Sequence, residues 1–422
     1  TFTITVNPTA QVDLVDSLDL CNGDTAVVDF TTSNGGVDSV TTYSWEITDG
    51  DSIFVGGALS DVGNINLPVI NETNADLVAT ITVTPTYTND GVDCTGPSEE
   101  FTITVSPTAQ VEQVDDIVVC NGDEVAEIVF ATTSENDIAY SWSIDTEIGT
   151  QSLTGVGNIP LFEADNDTND PIVAIVTVTP SNDETDPSLT CEGSSIEFTI
   201  TVNPTAQVDD IDDVVLCNGD ASLPIEFSTL IGGGNTSYSW VNNNPSIGLD
   251  PSGTDTIDSF ISINDTNEVV EAVITVTPIF EGSAGGTCSG DSKQFSIFIN
   301  PSADVIKPND LILCDDDPLI VIFESSVSDG ATTYSWVSDI DIGGGLAGNG
   351  NMDFTVQNFE ITTVTAEITV TPIFENLGLI CNGPSESFFV SVNGQINDQE
   401  TISDYNGSTI SCFGANDAFI EI

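Results

Sequence analysis

Positive charge is almost absent from this chain. Its 422 residues include two lysines, Lys293 and Lys307, with no arginine and no histidine, against 68 aspartates and glutamates. The formal net charge is −66 at pH 7. Binding to nucleic acid requires basic side chains that displace counterions from phosphates, and an anionic membrane surface repels a chain of its own sign. The composition therefore excludes nucleic acids and anionic membrane surfaces as partners.

Long apolar runs and helical periodicity are also missing. The sequence has no run of about 18 apolar residues, the length that a membrane-spanning helix needs. No segment keeps the spacing of an amphipathic helix, and no glycine-rich phosphate loop precedes one. The lack of histidine removes most zinc sites and thiol–base pairs. We therefore expect that this segment does not insert into a membrane and that the protein is not an enzyme. The sequence identifies no cofactor with certainty.

The sequence is organised instead as a repeat. A cassette recurs four times at a spacing of about 97 residues, and a fixed period of this size indicates a tandem array of small domains. The equivalent positions are Pro8, Pro107, Pro204 and Pro301; Cys21, Cys120, Cys217 and Cys314; and Trp45, Trp142, Trp240 and Trp336. With 39% hydrophobic residues, each repeat has enough apolar side chains for a packed core, so the acidity does not indicate disorder.

The period divides the chain into four whole repeats and two fragments. We assign residues 1–7 to the last strand of an upstream repeat, 8–106, 107–203, 204–300 and 301–393 to repeats one to four, and 394–422 to the start of a divergent module. Because the chain opens on a lone strand and stops early in a new module, we expect it to be an internal stretch of a much longer protein.

Alternating apolar and threonine residues predict antiparallel strands. Segments such as residues 2–6 and 101–105 place one apolar residue at every second position, which is typical of a half-buried strand. A second type of strand reads ITVTP, and we expect each one to end at its proline, which cannot donate to a ladder. The fold class is therefore all-β, with tandem immunoglobulin-like β-sandwiches arranged as an extended linear array.

The immunoglobulin strand order can be laid onto the first repeat. The strand ending at Phe30 becomes strand B, residues 43–45 lie on C, residues 79–84 on F and residues 99–105 on G. Strand-C tryptophans usually fill the core of such sandwiches, so we expect Trp45, Trp142, Trp240 and Trp336 to be core residues. The alternative is that these rings stack on sugars.

Nine cysteines at regular spacing indicate disulfides, and two pairings remain open. Pairing within each repeat joins Cys21 to Cys94, Cys120 to Cys191, Cys217 to Cys288 and Cys314 to Cys381, and leaves Cys412 over. In the immunoglobulin order, however, these partners lie at opposite ends of strands that span roughly 23 Å, whereas a disulfide needs Cα atoms within about 7 Å. Pairing between neighbouring repeats joins Cys21 to Cys191, Cys120 to Cys288 and Cys217 to Cys381. Cys94, Cys314 and Cys412 then await partners elsewhere.

Several motifs resemble those of a known family. The tryptophan strand of residues 240–249, the segment 155–160, and ITVTP followed by Cys-x-Gly and FTITVNP are similar to PKD-like repeats of giant Bacteroidota cell-surface proteins. Residues 402–415 resemble the start of a repeat of the SprB-type gliding-motility adhesin. The resemblance implies an extracellular adhesin exported by type IX secretion, on an outer-membrane-associated surface filament.

Calcium is the most plausible cation for so acidic a chain, because hard cations take about six to eight oxygen ligands. Candidate ligands near the expected joints are Asp209, Asp210, Asp212, Asp213, Asp315, Asp316 and Asp317. The alternative is a solvated acidic face, and no EF-hand loop is present. Asn71, Asn166 and Asn264 begin Asn-x-Thr triplets that match glycosylation sequons, yet their position before strand F also fits a turn.

These patterns favour a structural role. We expect the stalk segment of a very long adhesin for gliding motility or surface attachment, which bears tension and holds the adhesive part away from the cell. Its expected partners are the neighbouring repeats, and, through other parts of the protein, the gliding and secretion machinery and a surface polysaccharide or substratum. The alternative is an array of carbohydrate- or protein-binding modules in a secreted protein.

Overall fold

A computed structural model describes residues 2–35, 39–182, 190–328 and 330–394, and the backbone of residues 401–402 and 420–421. Strands dominate throughout. The described residues contain no α-helix, only a single 3-10 turn at Pro245–Ile247, and therefore no helix that could cross a membrane.

The strands follow the same order in each repeat, although the number of described strands differs between repeats. Repeat one contains β1 (Leu18–Cys21), β2 (Thr25–Val28), β3 (Val40–Asp49), β4 (Ser60–Val62), β5 (Ile65–Pro68), β6 (Leu77–Asn89), β7 (Val92–Thr95) and β8 (Glu99–Ser106). Repeat two contains β9 (Ile117–Cys120), β10 (Glu124–Val125), β11 (Ile138–Ile144), β12 (Thr154–Val156), β13 (Phe162–Glu163), β14 (Ile172–Asn182) and β15 (Ile196–Asn203).

Repeats three and four continue it. Repeat three contains β16 (Val214–Cys217), β17 (Gly234–Asn242), β18 (Ser252–Thr254), β19 (Val270–Gly282), β20 (Thr287–Ser289) and β21 (Lys293–Asn300). Repeat four contains β22 (Leu311–Cys314), β23 (Pro318–Val321), β24 (Ala331–Ser338), β25 (Ala347–Asn349), β26 (Met352–Thr355), β27 (Val364–Asn376), β28 (Leu379–Asn382) and β29 (Glu386–Asn393). Two short strands, β30 (Thr401–Ile402) and β31 (Ile420–Glu421), pair antiparallel further along.

The strand order is that of an immunoglobulin-like sandwich. In repeat one the larger sheet runs β1-β8-β6-β3-β4, which corresponds to strands A′, G, F, C and C′. Strand A′ is parallel to G, whereas the remaining neighbours are antiparallel. Strands β2 and β5, equivalent to B and E, form the facing sheet. The larger sheets of repeats two to four have the same order, which confirms the prediction of tandem all-β sandwiches.

The chain separates into two compact units, and the boundary passes through repeat three. The first comprises Thr1–Ala206, Ile231–Asn235 and Phe280–Ser289, and the second comprises Gln207–Leu230, Thr236–Ile279 and Gly290–Ile422. Repeats one and two therefore belong to the first unit together with one end of repeat three. The rest of repeat three and all of repeat four belong to the second.

The prediction that the ITVTP strands end at their prolines is wrong. Pro85 lies inside β6, which continues to Asn89, and the prolines of the other repeats are likewise internal. Pro85 lies opposite the gap between β7 and β8, where the neighbouring strand is interrupted. Its carbonyl oxygen accepts the N–H of Gly96 at 3.0 Å. Because the ladder requires no donor at this position, proline is tolerated in the middle of the strand.

Each sandwich encloses its own apolar core. The inward residues of strands F and G alternate with exposed ones, as the period of two predicts, and Ala79, Ile81 and Val83 of β6 are fully buried. The prediction of a strand at residues 2–6 is wrong, because no described strand pairs with this segment and its apolar side chains are exposed. The four strand-C tryptophans are between 2% and 7% exposed. In repeat two, for example, Trp142 lies over Gly155 of strand C′, where a Cβ would overlap the indole. The tryptophans are therefore part of the cores.

A buried asparagine ties the E–F loop to strand G. In repeat two, Asn166 is 2% exposed, and its Nδ2 donates to the carbonyl oxygens of Asp170 at 3.0 Å and Val202 at 2.7 Å. Its Oδ1 accepts the N–H and the hydroxyl of Thr168. The same bonds to strand G recur at Asn71, Asn264 and Asn358. Because the amide nitrogen is buried and hydrogen-bonded, the Asn-x-Thr triplets at Asn71, Asn166 and Asn264 are structural turns in the folded protein.

We expect Asn166→Ala to weaken repeat two by about 1–3 kcal/mol, because the buried carbonyl of Val202 would lose its donor. Hydrogen exchange of peptides from repeat two measures the local free energy of opening. The matched control is Asp167→Ala, at an exposed neighbouring position, which should change that free energy by less than about 0.5 kcal/mol. Equal effects of the two substitutions would contradict the assigned role of the asparagine.

Candidate functional site at the junctions between repeats

Disulfides join neighbouring repeats. Cys21 is bonded to Cys191, Cys120 to Cys288 and Cys217 to Cys381, with Cα–Cα distances of 5.4, 5.6 and 5.6 Å. Each bond connects the end of strand A′ in one repeat with the F–G hairpin of the next. Of the two pairings that the sequence leaves open, the structure has the one between repeats. The first two bonds lie in the first compact unit, and the third lies in the second unit.

The parallel pairing of A′ with G explains why cysteines of one repeat do not meet. Cys21 lies beside Ser106, at the end of strand G where the chain leaves the repeat. Cys94 lies beside Tyr87, at the opposite end of the sheet, where F turns back towards G. The F–G hairpin of the next repeat, by contrast, faces the end of A′. Among the described residues Cys94 and Cys314 are unbonded, and Cys412 lies outside the described residues.

The linker that follows each strand G is packed against the repeat that it enters. Its alanine is buried in all four cassettes: Ala10, Ala109, Ala206 and Ala303 are at most 1% exposed. In repeat two the glycine of Cys-x-Gly, Gly193, lies directly against the Ala109 carbonyl, and a Cβ there would overlap that oxygen. Gly96 and Gly383 are placed in the same way. The Cys-x-Gly motif therefore supplies one cysteine of the disulfide and a glycine against which the linker backbone packs.

Loops from adjacent repeats also share a backbone hydrogen bond. The carbonyl of Asn74 in the E–F loop of repeat one accepts the N–H of Glu135 in the B–C loop of repeat two at 2.8 Å. The same bond joins Gly232 to Asn169 at 2.8 Å and Ser328 to Asn267 at 3.1 Å. In the first compact unit, the Nδ2 of Asn136 additionally donates to Asp76 at 2.7 Å. Each described junction therefore has a second point of contact away from its disulfide.

At the junctions of repeats two and three and of repeats three and four, the asparagine of an Asn-Pro motif at the end of strand G holds the F–G hairpin of the following repeat. Asn203, fully buried at the end of β15, donates through Nδ2 to the carbonyl of Gly285 at 2.9 Å. Asn300, fully buried at the end of β21, accepts a 2.9 Å hydrogen bond from Asn376 through its Oδ1. A small apolar cluster of Ala303, Phe374 and Cys381 completes the latter junction. The motif thus fixes the hairpin that carries the cysteine.

The Cys-Asn-Gly-Asp turn fixes the other cysteine of each bond. In repeat one, Asp24 accepts the N–H of Cys21 at 2.9 Å, and Gly23 adopts a φ of 91°, which favours glycine. Asn22 accepts the N–H of Asn71 at 2.8 Å and donates to the hydroxyl of Thr108 in the linker at 3.0 Å. The turn therefore connects the cysteine, the buried asparagine and the linker.

Repeat four keeps this turn with a different sequence, Cys-Asp-Asp-Asp. Asp315 accepts the N–H of Asn358 at 2.7 Å, as Asn22 does for Asn71, and Asp317 accepts the N–H of Cys314 at 2.8 Å. Asp316 takes the glycine position with a φ of 67°. An aspartate carboxylate offers no N–H, so Asp315 cannot act as a donor in the way that Asn22 does. The acceptor role is therefore retained, while the donor role is lost.

The candidate calcium ligands mostly bond protein groups. Asp209 accepts from the hydroxyl of Ser228 at 2.6 Å, and Asp213 accepts the N–H of Ser296 at 2.7 Å. Asp210 forms an ion pair with Lys293 at 2.5 Å, and the hydrogen bond and charge of the lysine lower the pKa of that exposed carboxyl. Across the part of the chain that the structure describes, no three acidic or cysteine side chains form a group that could hold a metal ion. Calcium binding stays a prediction.

The contacts at the junctions involve residues that the sequence marked only as repeat landmarks. The linker alanines and the Cys-x-Gly glycines recur in every cassette, and an asparagine precedes the linker proline in three of the four, yet the role of these residues depends on which surfaces meet. One signal was available, because an invariant glycine after a cysteine indicates a close approach of backbone. The identity of the approaching group, a linker carbonyl of the same repeat, is given only by the three-dimensional structure.

Comparisons with known proteins give the fold a broad context. No protein-family model matches the chain, and no curated protein matches its sequence. Among solved structures, the human desmocollin-1 ectodomain is 12% identical, with 95% of this chain and 82% of that chain covered and a TM-score of 0.27. Drosophila N-cadherin EC1-4 is 13% identical, with coverages of 90% and 99% and a TM-score of 0.26. Mouse cadherin-23 EC22-24 is 14% identical, with coverages of 68% and 95% and a TM-score of 0.28. Scores this low transfer no function.

We expect Gly193→Ala to loosen the junction between repeats one and two. The added methyl would overlap the Ala109 carbonyl, and forced overpacking of this kind costs about 1–3 kcal/mol. Faster hydrogen exchange in linker residues 107–111 would report the displacement. The control is Gly35→Ala, since a Cβ at Gly35 meets open space and its backbone needs no positive φ. If hydrogen exchange in the linker is the same for both variants, the proposed packing of Gly193 against the Ala109 carbonyl is wrong.

Proposed function

We propose that this chain is a tension-bearing spacer in an extracellular adhesin. The observation that carries the proposal is the disulfide at the junctions of repeats one and two, two and three, and three and four. Disulfides persist in oxidising surroundings, so bonds at successive joints are consistent with a secreted protein outside the cell. An enzyme or a ligand carrier would gain little from a covalent bond at every joint, whereas a spacer under tension depends on the joints.

The junction chemistry also restricts bending. A joint with a single linker can pivot about it, but these joints are held at separate points: the linker, the disulfide and the hydrogen bond between the E–F and B–C loops. The buried linker alanine removes the remaining freedom of the connecting segment. A spacer needs this restriction, because a flexible chain contracts under thermal motion and does not keep its ends apart.

The finer assignment follows from the sequence resemblance. We place the spacer in a giant surface filament of the SprB type, anchored at the outer membrane of a member of the Bacteroidota, exported by type IX secretion and used in gliding or attachment. In this proposal the described repeats contact one another, while other parts of the protein engage the gliding machinery and a polysaccharide or substratum. The net charge of −66 keeps such a long polymer soluble.

The alternative, an array of carbohydrate-binding modules, has weaker support. Sugar recognition by stacking needs an exposed aromatic face, whereas Trp45, Trp142, Trp240 and Trp336 are all buried. Pockets of about 300, 180 and 330 Å³ adjoin the first three of them. These volumes are at or below the lower end of the ~300–1,000 Å³ typical of ligand sites. Nothing in them favours a sugar over solvent.

Small-angle scattering and glycan binding together test the spacer proposal. A compact body of 422 residues would have a radius of gyration near 22 Å. Four sandwiches, each about 40 Å long by strand rise, give roughly twice that value when placed end to end. We expect the larger value from the oxidised chain and no retention on a glycan array. A compact radius, or saturable binding of a glycan to several repeats, would contradict the proposal.

A further inference from the structure

The three disulfides interlock along the sequence. The bond between Cys21 and Cys191 spans 170 residues and encloses Cys120, while the bond between Cys120 and Cys288 spans 168 residues and encloses both Cys191 and Cys217. The bond between Cys217 and Cys381 spans 164 residues and encloses Cys288. Overlapping loops of this kind create routes along covalent bonds that are much shorter than the polypeptide itself.

One such route crosses the whole described array. It follows the backbone to Cys21, crosses the first disulfide to Cys191, continues along residues 191–217, crosses the third disulfide to Cys381 and follows the backbone onward. Together the two crossings bypass separations of 170 and 164 residues. At roughly 3.5 Å per residue, these bypassed segments would add about 1,150 Å to the extended length of the chain if the disulfides were reduced. The middle disulfide is not part of this route.

Much of the route is extended in the native state. It passes along β1 in repeat one, along β15 in repeat two, through a linker to β16 in repeat three, and along β29 in repeat four. Strands rise about 3.3 Å per residue, close to the limit of a stretched chain, so these segments have little slack. Strands B, C, E and F, which build most of each core, lie outside the route.

A second route shares no residue with the first. It runs from Cys94 along β8 and β9 to Cys120, crosses to Cys288, and follows β21 and β22 to Cys314. In repeats one and three the second route follows strand G, whereas the first route follows A′. In repeats two and four the second route follows A′, whereas the first route follows G. Its two ends are Cys94 and Cys314, the cysteines that are unbonded among the described residues.

We infer that the first route acts as a covalent strap, so that tension bypasses the folded cores. The inference rests on the proposed spacer function and adds a mechanism to it. In an array joined only by single linkers, force passes through each sandwich, and unfolding one adds its full chain length. Here, force applied to the ends follows the strap, and unfolding a sandwich adds almost nothing. Reduction of the disulfides converts the strap into an ordinary extensible chain.

Single-molecule pulling of the full chain by its termini tests the strap. We expect the oxidised protein to reach its extension limit without unfolding steps from the four repeats. After reduction, the limit should increase by about 1,150 Å through successive unfolding steps, because both bypassed loops are released. A limit that does not change on reduction would overturn the inference.

Disulfide variants separate the strap from a general stiffening effect. Removing the first bond with Cys21→Ser and Cys191→Ser lengthens the shortest covalent route by about 140 residues. Removing the third bond with Cys217→Ser and Cys381→Ser lengthens it by nearly the same amount. The extension limit of each of these two variants should therefore increase by roughly 500 Å. Removing the middle bond with Cys120→Ser and Cys288→Ser leaves the strap whole, so the limit should not change. This variant is the matched control, because it also lacks one disulfide.

The outcomes distinguish this inference from the function on which it rests. If all three double variants lengthen equally, tension does not follow the strap, and the spacer function is then decided by the scattering result alone. If the oxidised wild type already unfolds stepwise to full length with its disulfides verified by mass spectrometry, the strap inference is wrong. A compact radius of gyration in solution would instead remove the spacer function, whatever the pulling curves show.

Discussion

The organisation of this protein depends on the disulfide between the A′ end of one repeat and the F–G hairpin of the next. Strand A′ runs parallel to G, so the cysteine at its end emerges where the chain leaves the sandwich. Strand F runs antiparallel to G, so its hairpin returns to the end where the chain enters. Two cysteines of one repeat are therefore held apart by the sheet itself, and the short linker brings each to a neighbour. The covalent continuity of the array follows from strand direction.

Acidity explains why the joints are made in this way. Both faces at a junction belong to negatively charged domains, and the chain has only two lysines with which to form salt bridges. Apart from hydrogen bonds to the carboxylates of Asp76 and Glu268, the described junctions use disulfides, backbone carbonyls and the side-chain amides of asparagine instead. These groups carry no net charge, so mutual repulsion does not oppose them and salt does not screen them. At physiological ionic strength, salt limits the range of the remaining repulsion between domains to about 8 Å.

Much of the fold follows from local sequence patterns. The period of two in segments such as residues 101–105 identifies the strands, and the repeat spacing identifies the domains, because both depend on residues close in sequence. The expected end of the F strands at Pro85 and its equivalents failed for a reason that is not local. Whether a strand tolerates proline depends on the gap in its neighbour, between β7 and β8, and that gap is known only once the sheet is assembled.

The junctions show the same limit. The sequence could reduce the cysteine pairing to two alternatives, because strand length and strand order are enough to make pairing within a repeat difficult. It could not choose between them, since the choice depends on which loops of adjacent domains face each other. Likewise, Asn71 matches a sequon in sequence, but its burial and its bonds to strand G become evident only from the folded loop.

A non-reducing peptide map of the intact protein, with free thiols alkylated before digestion, tests the central claim most directly. The account predicts linked peptides joining Cys21 to Cys191, Cys120 to Cys288 and Cys217 to Cys381. Linked peptides joining Cys120 to Cys191 or Cys217 to Cys288, the two cysteines of a single repeat, would contradict it. In that case, only the polypeptide backbone of the linker would join neighbouring repeats covalently.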